Sequence, residues 1–348
     1  MRGQAADRVS SHLVLLLSLS LSACVQPRVP AAPPPAAVPP PIPARVPATP
    51  PTAPARPTEG TIGGGAGDLW FHIVGSGPDT VIVPLGTWLE PALAPLGARH
   101  TVVFYDPRHR GRSHAMTDST LATFDGDVAD LDSVRKAVGA SRVAVIGYDY
   151  YAAVAAAWAA AHPQSVTRLV LLSPIEPADS LSLSWNPPER AARIDTTAAR
   201  ALVKARAAGR DTTDAVRYCE DFWRVNAPVF IGDTARTGSL RADWCELPNE
   251  APPRIAAAAG GAMASLGPDV DFGARVRGVT VPTLVMHGRL DLVANPEGAR
   301  EWARLIGGAR LLWLSNVGHL PHLEAGAELV TAISEFLAGQ WPPRAGPP

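Results

Sequence analysis

The most regular hydrophobic pattern lies near the middle of the chain, in the stretch RVAVIGYDYYAAVAAAWAAAHP. Its apolar run Val143–Ile146 is typical of a short strand that is buried on both faces of a parallel sheet. From Ala152 onward the alanine-rich sequence predicts a helix, which a His-Pro pair ends. The connection Gly147–Tyr151 is very short, so the chain must turn sharply there. Such a turn presents its middle residue, Asp149, at the carboxyl edge of the sheet.

The same two patterns alternate along the rest of the chain. Apolar runs predict strands at 68–74, 80–84, 101–105, 168–173, 283–287 and 309–314. Helical spacing predicts helices at 86–96, 127–138, 296–306 and 324–337. Because strands that alternate with helices form parallel sheets covered on both faces, the pattern predicts an α/β fold with a mostly parallel central sheet.

Residues 175–277 interrupt this alternation. They contain helical stretches at 196–208 and 212–223 but no apolar run like the flanking strands. We interpret them as a helical cap that is inserted into a core made of residues 61–174 and 278–340. Residues 341–348 are interpreted as a tail.

The N-terminal residues carry a targeting pattern. Residues 1–23 combine positive charge with an apolar run that is too short to span a bilayer. The run ends in Leu21-Ser-Ala-Cys24, which resembles the lipobox of bacterial lipoproteins and implies a lipid on Cys24; an ordinary cleaved signal peptide is the alternative. Residues 24–60 are rich in proline and alanine, as in disordered linkers. We therefore expect an exported protein, lipid-anchored to a bacterial membrane, with its folded domain in the periplasm or at the cell surface.

Composition narrows the possible partners. The chain has 348 residues, 47% of them hydrophobic, which suffices for one large core plus a cap. A net charge of −1 gives no reason to expect a nucleic acid as partner. Cys219 and Cys245 both lie in the predicted cap. In an oxidising compartment such a pair suggests a disulfide, with two buried thiols as the alternative.

Four motifs follow one another between the predicted elements. They are Asp106–Ser113 (DPRHRGRS), Gly147-x-Asp149, His287–Asp291 (HGRLD) and Gly318–Glu324 (GHLPHLE). In this order they resemble four motifs of the α/β-hydrolase superfamily: a D-x-R-G-x-G-x-S loop, the nucleophile elbow, the acid loop and the histidine loop. The resemblance covers residues 68–340 and implies a hydrolase with a helical cap.

The resemblance also assigns roles to individual residues. The catalytic set that it implies is Asp149, Asp291 and His319, and the implied oxyanion hole consists of the N–H groups of Thr87 and Tyr150. Two positions depart from the family pattern. Leu85-Gly86 stands where the family usually has His-Gly, and Tyr151 replaces the second glycine of the elbow. The small residues Ala152 and Ala153 would provide the room that this tyrosine needs.

Asp149 at the nucleophile position allows three interpretations. As in the haloalkane dehalogenases and epoxide hydrolases of the superfamily, its carboxylate would form an alkyl ester that water, activated by His319 and Asp291, then hydrolyses. Alternatively, the chain is a serine-type esterase or proline-iminopeptidase-like hydrolase that has lost its nucleophile. In the third interpretation Asp149 is only a helix N-cap. A module without catalysis, which binds a small ligand or a partner protein, is a further hypothesis.

The expected substrate is a small molecule bound beneath the cap. The residues expected to line its pocket are Trp88, Tyr148, Tyr151, Tyr218, Glu220, Trp223 and Glu250. The two glutamates would supply carboxylates for a substrate amine, although a solvated surface position is the commoner role of such residues. The spacing His319-x-x-His322 fits a metal pair, but no third ligand is evident, so neither a metal nor another cofactor is expected.

Overall fold

A mostly parallel β-sheet forms the centre of the molecule. The structure, a computed structural model, describes residues 57–64, 67–115, 121–177, 185–240, 242–267 and 271–348. The strands are β1 (Glu59–Gly64), β2 (Gly67–Val74), β3 (Thr80–Pro84), β4 (Thr101–Tyr105), β5 (Val143–Tyr148), β6 (Val166–Leu172), β7 (Thr283–Gly288) and β8 (Arg310–Leu314). They lie in the order β1-β2-β4-β3-β5-β6-β7-β8, and only the pairings of β2 with β1 and with β4 are antiparallel within these ranges. The predicted α/β fold is confirmed.

Helices cover the sheet and fill the segment between β6 and β7. The core helices are α1 (Gly86–Leu93), α2 (Phe124–Ala137), α3 (Tyr150–Ala161), α10 (Pro296–Leu305), α11 (Pro321–Glu324) and α12 (Gly326–Leu337). Between β6 and β7 lie α4 (Pro188–Ala192), α5 (Thr196–Ala207), α6 (Arg210–Thr213), α7 (Ala215–Phe230), α8 (Pro252–Ala264) and α9 (Phe272–Val276). We call this segment, residues 188–276, the insertion. Its 3₁₀ turns are Thr234–Ser239, Asp243–Glu246 and Pro248–Glu250.

The strand–turn–helix unit at the middle of the chain lies in the deepest part of the core. Every residue of β5 is buried, and α3 packs against β5, β6, α2 and α9. A Cβ atom on Gly147 would lie only 2.7 Å from Cα of Ala152, so the helix comes too close to the strand for any side chain there. Gly147, the first glycine of the elbow, therefore permits the close approach of α3 to β5. The alanines that follow Tyr151 keep the helix narrow at this contact.

Two segments differ from the sequence-based prediction. Strand β1 begins at Glu59, inside the predicted linker, and pairs with β2; its sequence, EGTIGG, is too rich in glycine to show an apolar alternation. Helix α7 continues through Pro228 to Phe230, well past the predicted end at Trp223.

The predicted tail is bound to the core, because Gly346 forms a bridge with Leu311 and the ring of Trp341 packs on Phe336.

The remaining predictions concern the ends of the chain and the cysteines. Cys219 of α7 and Cys245 of the following 3₁₀ turn are joined by a disulfide. The signal segment 1–23, Cys24 and residues 24–56 of the linker lie outside the described residues. Among the residues that the structure does describe, no helix combines the length and the apolar character needed to cross a bilayer.

Candidate active site

Asp149 occupies a strained turn between β5 and α3. Its backbone has φ 53° and ψ −125°, which a residue with a side chain rarely adopts. The loop after β6 holds this turn in place, because the Asp149 N–H donates to the carbonyl of Leu172 and the Ile175 N–H donates to the carbonyl of Asp149. The carboxylate makes no capping bond to α3, and 37% of the side chain is exposed. The helix-cap interpretation is therefore wrong.

His319 and Asp291 lie next to Asp149 at the same edge of the sheet. Nε2 of His319 is 3.5 Å from Oδ1 of Asp149, and Nδ1 of His319 is 2.9 Å from Oδ2 of Asp291. The other oxygen of Asp291 accepts the N–H groups of Val293 and Ala294, which fixes the carboxylate. The structure thus brings together the three residues that the motifs suggested, with the imidazole between two carboxylates.

The two carboxylates control the charge of the imidazole. Burial by itself would lower the pKa of His319, but Asp291 and Asp149 outweigh it and raise the pKa to about 10. Asp291 shifts in the complementary direction: burial opposes its ionisation, yet His319 and His287 hold its pKa well below the usual range. Near neutral pH the free site therefore contains a protonated His319 between Asp149 and Asp291.

The two expected oxyanion donors differ in their surroundings. The N–H of Thr87 donates to Oδ1 of Asp106 at 2.8 Å, and the Thr87 hydroxyl donates to Oδ2 of the same carboxylate. Because this N–H is already engaged within the core, the structure contradicts its assignment to the oxyanion hole. Tyr150 is the first residue of α3, where a backbone N–H has no partner inside its helix. The assignment of its N–H to the oxyanion hole stays a prediction.

Glu324 connects the histidine loop with the insertion. Its carboxylate accepts the N–H of Gly318 at 2.9 Å and the N–H of Gly232 at 2.7 Å. The N–H of His319 also donates to the carbonyl of Phe230 at 2.7 Å. A Cβ atom on Gly318 would lie 2.5 Å from the nitrogen of Gly232, so both residues must be small for the two segments to meet.

Glu250, expected in the substrate pocket, makes a second connection, between the insertion and the loop after β4. It is completely buried and accepts from Nε and Nη2 of Arg110 at 3.0 and 2.9 Å, from the Gly111 N–H at 2.6 Å and from Nε1 of Trp88 at 2.7 Å. Although burial raises the pKa of a carboxyl group, Arg110 and these donors lower that of Glu250. Its charge is therefore neutralised, and the prediction that it receives a substrate amine is wrong. Glu220 is exposed and faces Arg217 on the same helix, so it lies outside the site.

Aromatic residues fill the space between the insertion and the histidine loop. The Trp88 ring stacks on Trp244 at 4.3 Å and meets the edge of Trp223 at 5.3 Å. Tyr148 lies beneath the site: its hydroxyl donates to the carbonyl of His319, and its ring packs against His319 and His322. Burial lowers the pKa of His322 to about 3, so this imidazole is neutral. Tyr218 is buried on α7.

A cleft of about 490 Å³ opens beside this aromatic group. Its walls include Trp88 and Arg112 from the core and Ile231, Leu240 and Trp244 from the insertion. The size and the mainly apolar walls suit a small organic molecule. Asp149 and His319 do not line the cleft. Its lining includes Trp88, Ile231, which follows Phe230, and Leu323, which follows His322.

A buried carboxyl group on the other side of the elbow was not expected from the sequence. Asp127 of α2 accepts the hydroxyl of Tyr150 at 2.8 Å. Burial raises the pKa of Asp127 to about 7, although Tyr150 opposes the shift. Tyr151, expected in the pocket, is buried with its ring against Tyr150, 4.9 Å between centroids. The sequence carried no signal for Asp127, because an acidic residue in the first turn of a helix normally interacts with the helix dipole.

The family model for the alpha/beta hydrolase fold matches residues 77–326. The chain belongs to this family, and as a member it is classed as a hydrolase. The strand order and the ordered positions of Asp149, Asp291 and His319 agree with that assignment. A comparison with curated proteins gives no match.

Solved structures show the same fold at low sequence identity. The enol-lactonase from Burkholderia xenovorans is 22% identical, with a TM-score of 0.61 over 80% of this chain and 100% of that one. A thermophilic esterase from Thermogutta terrifontis is 21% identical, with a TM-score of 0.59 over 81% and 98%. The proline iminopeptidase from Mycobacterium smegmatis is 19% identical, with a TM-score of 0.60 over 81% and 98%. These likenesses concern the fold.

Proposed function

We propose that the chain hydrolyses a small-molecule substrate at a saturated carbon, with Asp149 as nucleophile and an alkyl ester on its side chain as intermediate. The observation that supports this most directly is the state of the Asp149 carboxylate. It lies on a strained turn, it does not cap the helix, and it is 3.5 Å from His319. Strain that serves no capping bond is typical of a functional position.

In the first step an oxygen of Asp149 attacks carbon, and the bond from that carbon to a halide or an epoxide oxygen breaks. A carboxylate that is already ionised needs no base for this attack. A halide leaves as an anion. An epoxide leaves an alkoxide, which takes a proton, and the protonated His319 is the adjacent donor. The product of this step is a neutral ester on Asp149.

Formation of the ester prepares His319 for the second step. The ester no longer carries the negative charge that helps to hold a proton on the imidazole, so the pKa of His319 falls from about 10. After epoxide opening His319 has already given up its proton, and after halide displacement it releases the proton to solvent. Neutral His319 then takes a proton from water, and the hydroxide attacks the ester carbonyl carbon. The N–H of Tyr150 would stabilise the oxyanion that forms. Collapse breaks the bond between the carbonyl carbon and the ester oxygen. The departing alkoxide takes the proton of the newly added hydroxyl group, which yields the alcohol and restores the carboxylate.

Single turnover of the full chain in heavy-oxygen water tests this sequence of steps. Esters, prolyl amides, epoxides and haloalkanes would be supplied, and the peptide that contains Asp149 would be weighed after digestion. Because water attacks the ester carbonyl, the heavy oxygen should appear in Asp149 and not in the first alcohol released. His319→Gln should accumulate the ester, seen as the peptide plus the alkyl group.

Asp149→Ala and Asp149→Ser serve as matched variants. Loss of epoxide or halide turnover in both, with labelling in the wild type, supports the proposal. A silent wild type combined with ester or amide turnover in Asp149→Ser would instead identify a serine-type hydrolase that has lost its nucleophile, and the proposal would be rejected.

A further inference from the structure

His287 is a buried histidine that the proposed reaction does not use. It lies in β7 and is completely buried. In the sheet register it stands opposite Trp313 of β8, and the two rings meet edge to face at 6.0 Å. The guanidinium groups of Arg289 and Arg300 lie over the Trp313 ring at 5.1 and 4.9 Å. The imidazole is therefore held in one place by the sheet and by a clamped neighbour.

This imidazole contacts the carboxylate that orients His319. Nε2 of His287 is 3.2 Å from Oδ2 of Asp291, and Nδ1 of His319 is 2.9 Å from the same oxygen. Nε2 of His287 does not meet Oδ2 with the geometry of a hydrogen bond, so the contact is an electrostatic one between the edge of the imidazole ring and the carboxylate. Two imidazoles thus share one oxygen, while the other oxygen is held by two backbone N–H groups.

We propose that His287 is a positioning residue that acts through Asp291 and limits how strongly this carboxylate holds the proton of His319. The polar ring edge of His287, 3.2 Å from Oδ2, offsets part of the negative charge that His319 experiences. The charged groups that face His287 are Asp291 and His319, with Arg289 and Arg300 behind Trp313.

The consequence concerns the second chemical step. If Asp291 held the proton too firmly, His319 would remain protonated after the ester has formed and would not activate water. This consequence rests on the proposed function, whereas the contact between His287 and Asp291 does not. The prediction can therefore be tested without a substrate.

The experiment is an NMR pH titration of the histidine ring nitrogens in the full chain. His287→Phe removes the donor but keeps a ring of similar size, and His287→Gln keeps an N–H donor. In His287→Phe the His319 protonation equilibrium should shift toward the charged form by about threefold to tenfold, which corresponds to roughly 0.5–1 pKa unit. His287→Gln should remain within about twofold of the wild type, by the same conversion.

His100→Phe is the matched control, since it removes another buried histidine whose charged neighbours are Asp79 and Arg99. Equal shifts in His287→Phe and His287→Gln, or no shift in either while circular dichroism shows the native fold, overturn the proposal. If His287→Phe fails to fold, His287→Asn, whose side chain is one methylene shorter than that of glutamine, takes its place with the same expected shift.

Activity supplies a second readout once a substrate is known. The limb of the kcat profile that reports His319 should move to higher pH in His287→Phe, with KM unchanged. Turnover that labels Asp149 without any shift in the titration rejects only the role of His287. A shift together with turnover that leaves Asp149 unlabelled keeps that role intact and rejects the ester mechanism.

Discussion

Two buried carboxyl groups flank the elbow, and their pKa values are shifted in opposite directions. Asp291 is fully buried, yet its pKa lies well below the usual range. Asp127 is equally buried, and its pKa is raised to about 7. Burial disfavours the charge of both. The difference lies in their partners: Asp291 faces two imidazoles and two backbone N–H groups, whereas Asp127 has the hydroxyl of Tyr150 and the nearby carboxyl of Asp130.

The comparison shows that the donors around a buried carboxyl group decide its charge, and that the charge in turn decides its use. An ionised Asp291 can hold a protonated imidazole. A carboxyl group such as Asp127, which is half protonated near neutral pH, cannot serve as a fixed counterion. Its bond to Tyr150 anchors the side chain of the residue next to Asp149.

The largest expected effect is that of Asp291→Asn. The amide keeps the size of the side chain but removes the charge that faces His319, so the His319 pKa should fall from about 10 toward its ordinary value. Turnover should drop on the order of 10³–10⁴-fold. NMR titration and kcat measure the two effects. An unchanged His319 pKa would show that Asp149 alone holds the proton.

An intermediate effect, on stability and dependent on pH, is expected for Asp127→Asn. Because the folded pKa of Asp127 is raised, the wild type loses stability as pH rises from about 4 to about 7, and the full penalty is present above that window. The variant lacks this penalty. Its free energy of unfolding relative to the wild type should therefore improve on the order of 2–4 kcal/mol between pH 4 and pH 8.

Urea unfolding at the two pH values measures this change. Asp125→Asn is the control, since its side chain is exposed and its ion pair with Arg275 lies at the surface. A relative stability of Asp127→Asn that does not change with pH would mean that the two carboxyl groups do not differ as described.

The smallest effect is expected for Tyr150→Phe. This change removes the hydroxyl that donates to Asp127 and should cost about 1 kcal/mol of stability. The cost should be greater at pH 8 than at pH 5, because a hydrogen bond to a charged carboxylate is stronger than one to a neutral acid. Thermal unfolding of Tyr150→Phe beside Tyr151→Phe, at both pH values, measures it. Equal losses in the two variants would point to general packing instead.

Of the two carboxyl groups compared here, the sequence motifs predicted Asp291 but not Asp127. The order of the loops around Asp149, Asp291 and His319 follows from strands that end at one edge of a parallel sheet, and local patterns suffice to find such strands. Asp127 and Glu250 could not be found in that way. Their partners lie 23 and 140 residues away along the chain, and neither spacing has a local pattern. The assignment of Thr87 to the oxyanion hole was wrong for a related reason, since a motif does not reveal that the Thr87 N–H already donates to Asp106.

Glu324 has a consequence for how the molecule can change over generations. One carboxylate closes the loop of His319 and also holds Gly232 of the insertion. The insertion also supplies Ile231, Leu240 and Trp244 to the wall of the cleft, but substitutions near Gly232 would disturb the loop that holds the imidazole. Variation is therefore expected to concentrate in α5 and α6, whose residues are not buried, while the short stretch from Phe230 to Gly232 changes together with the histidine loop.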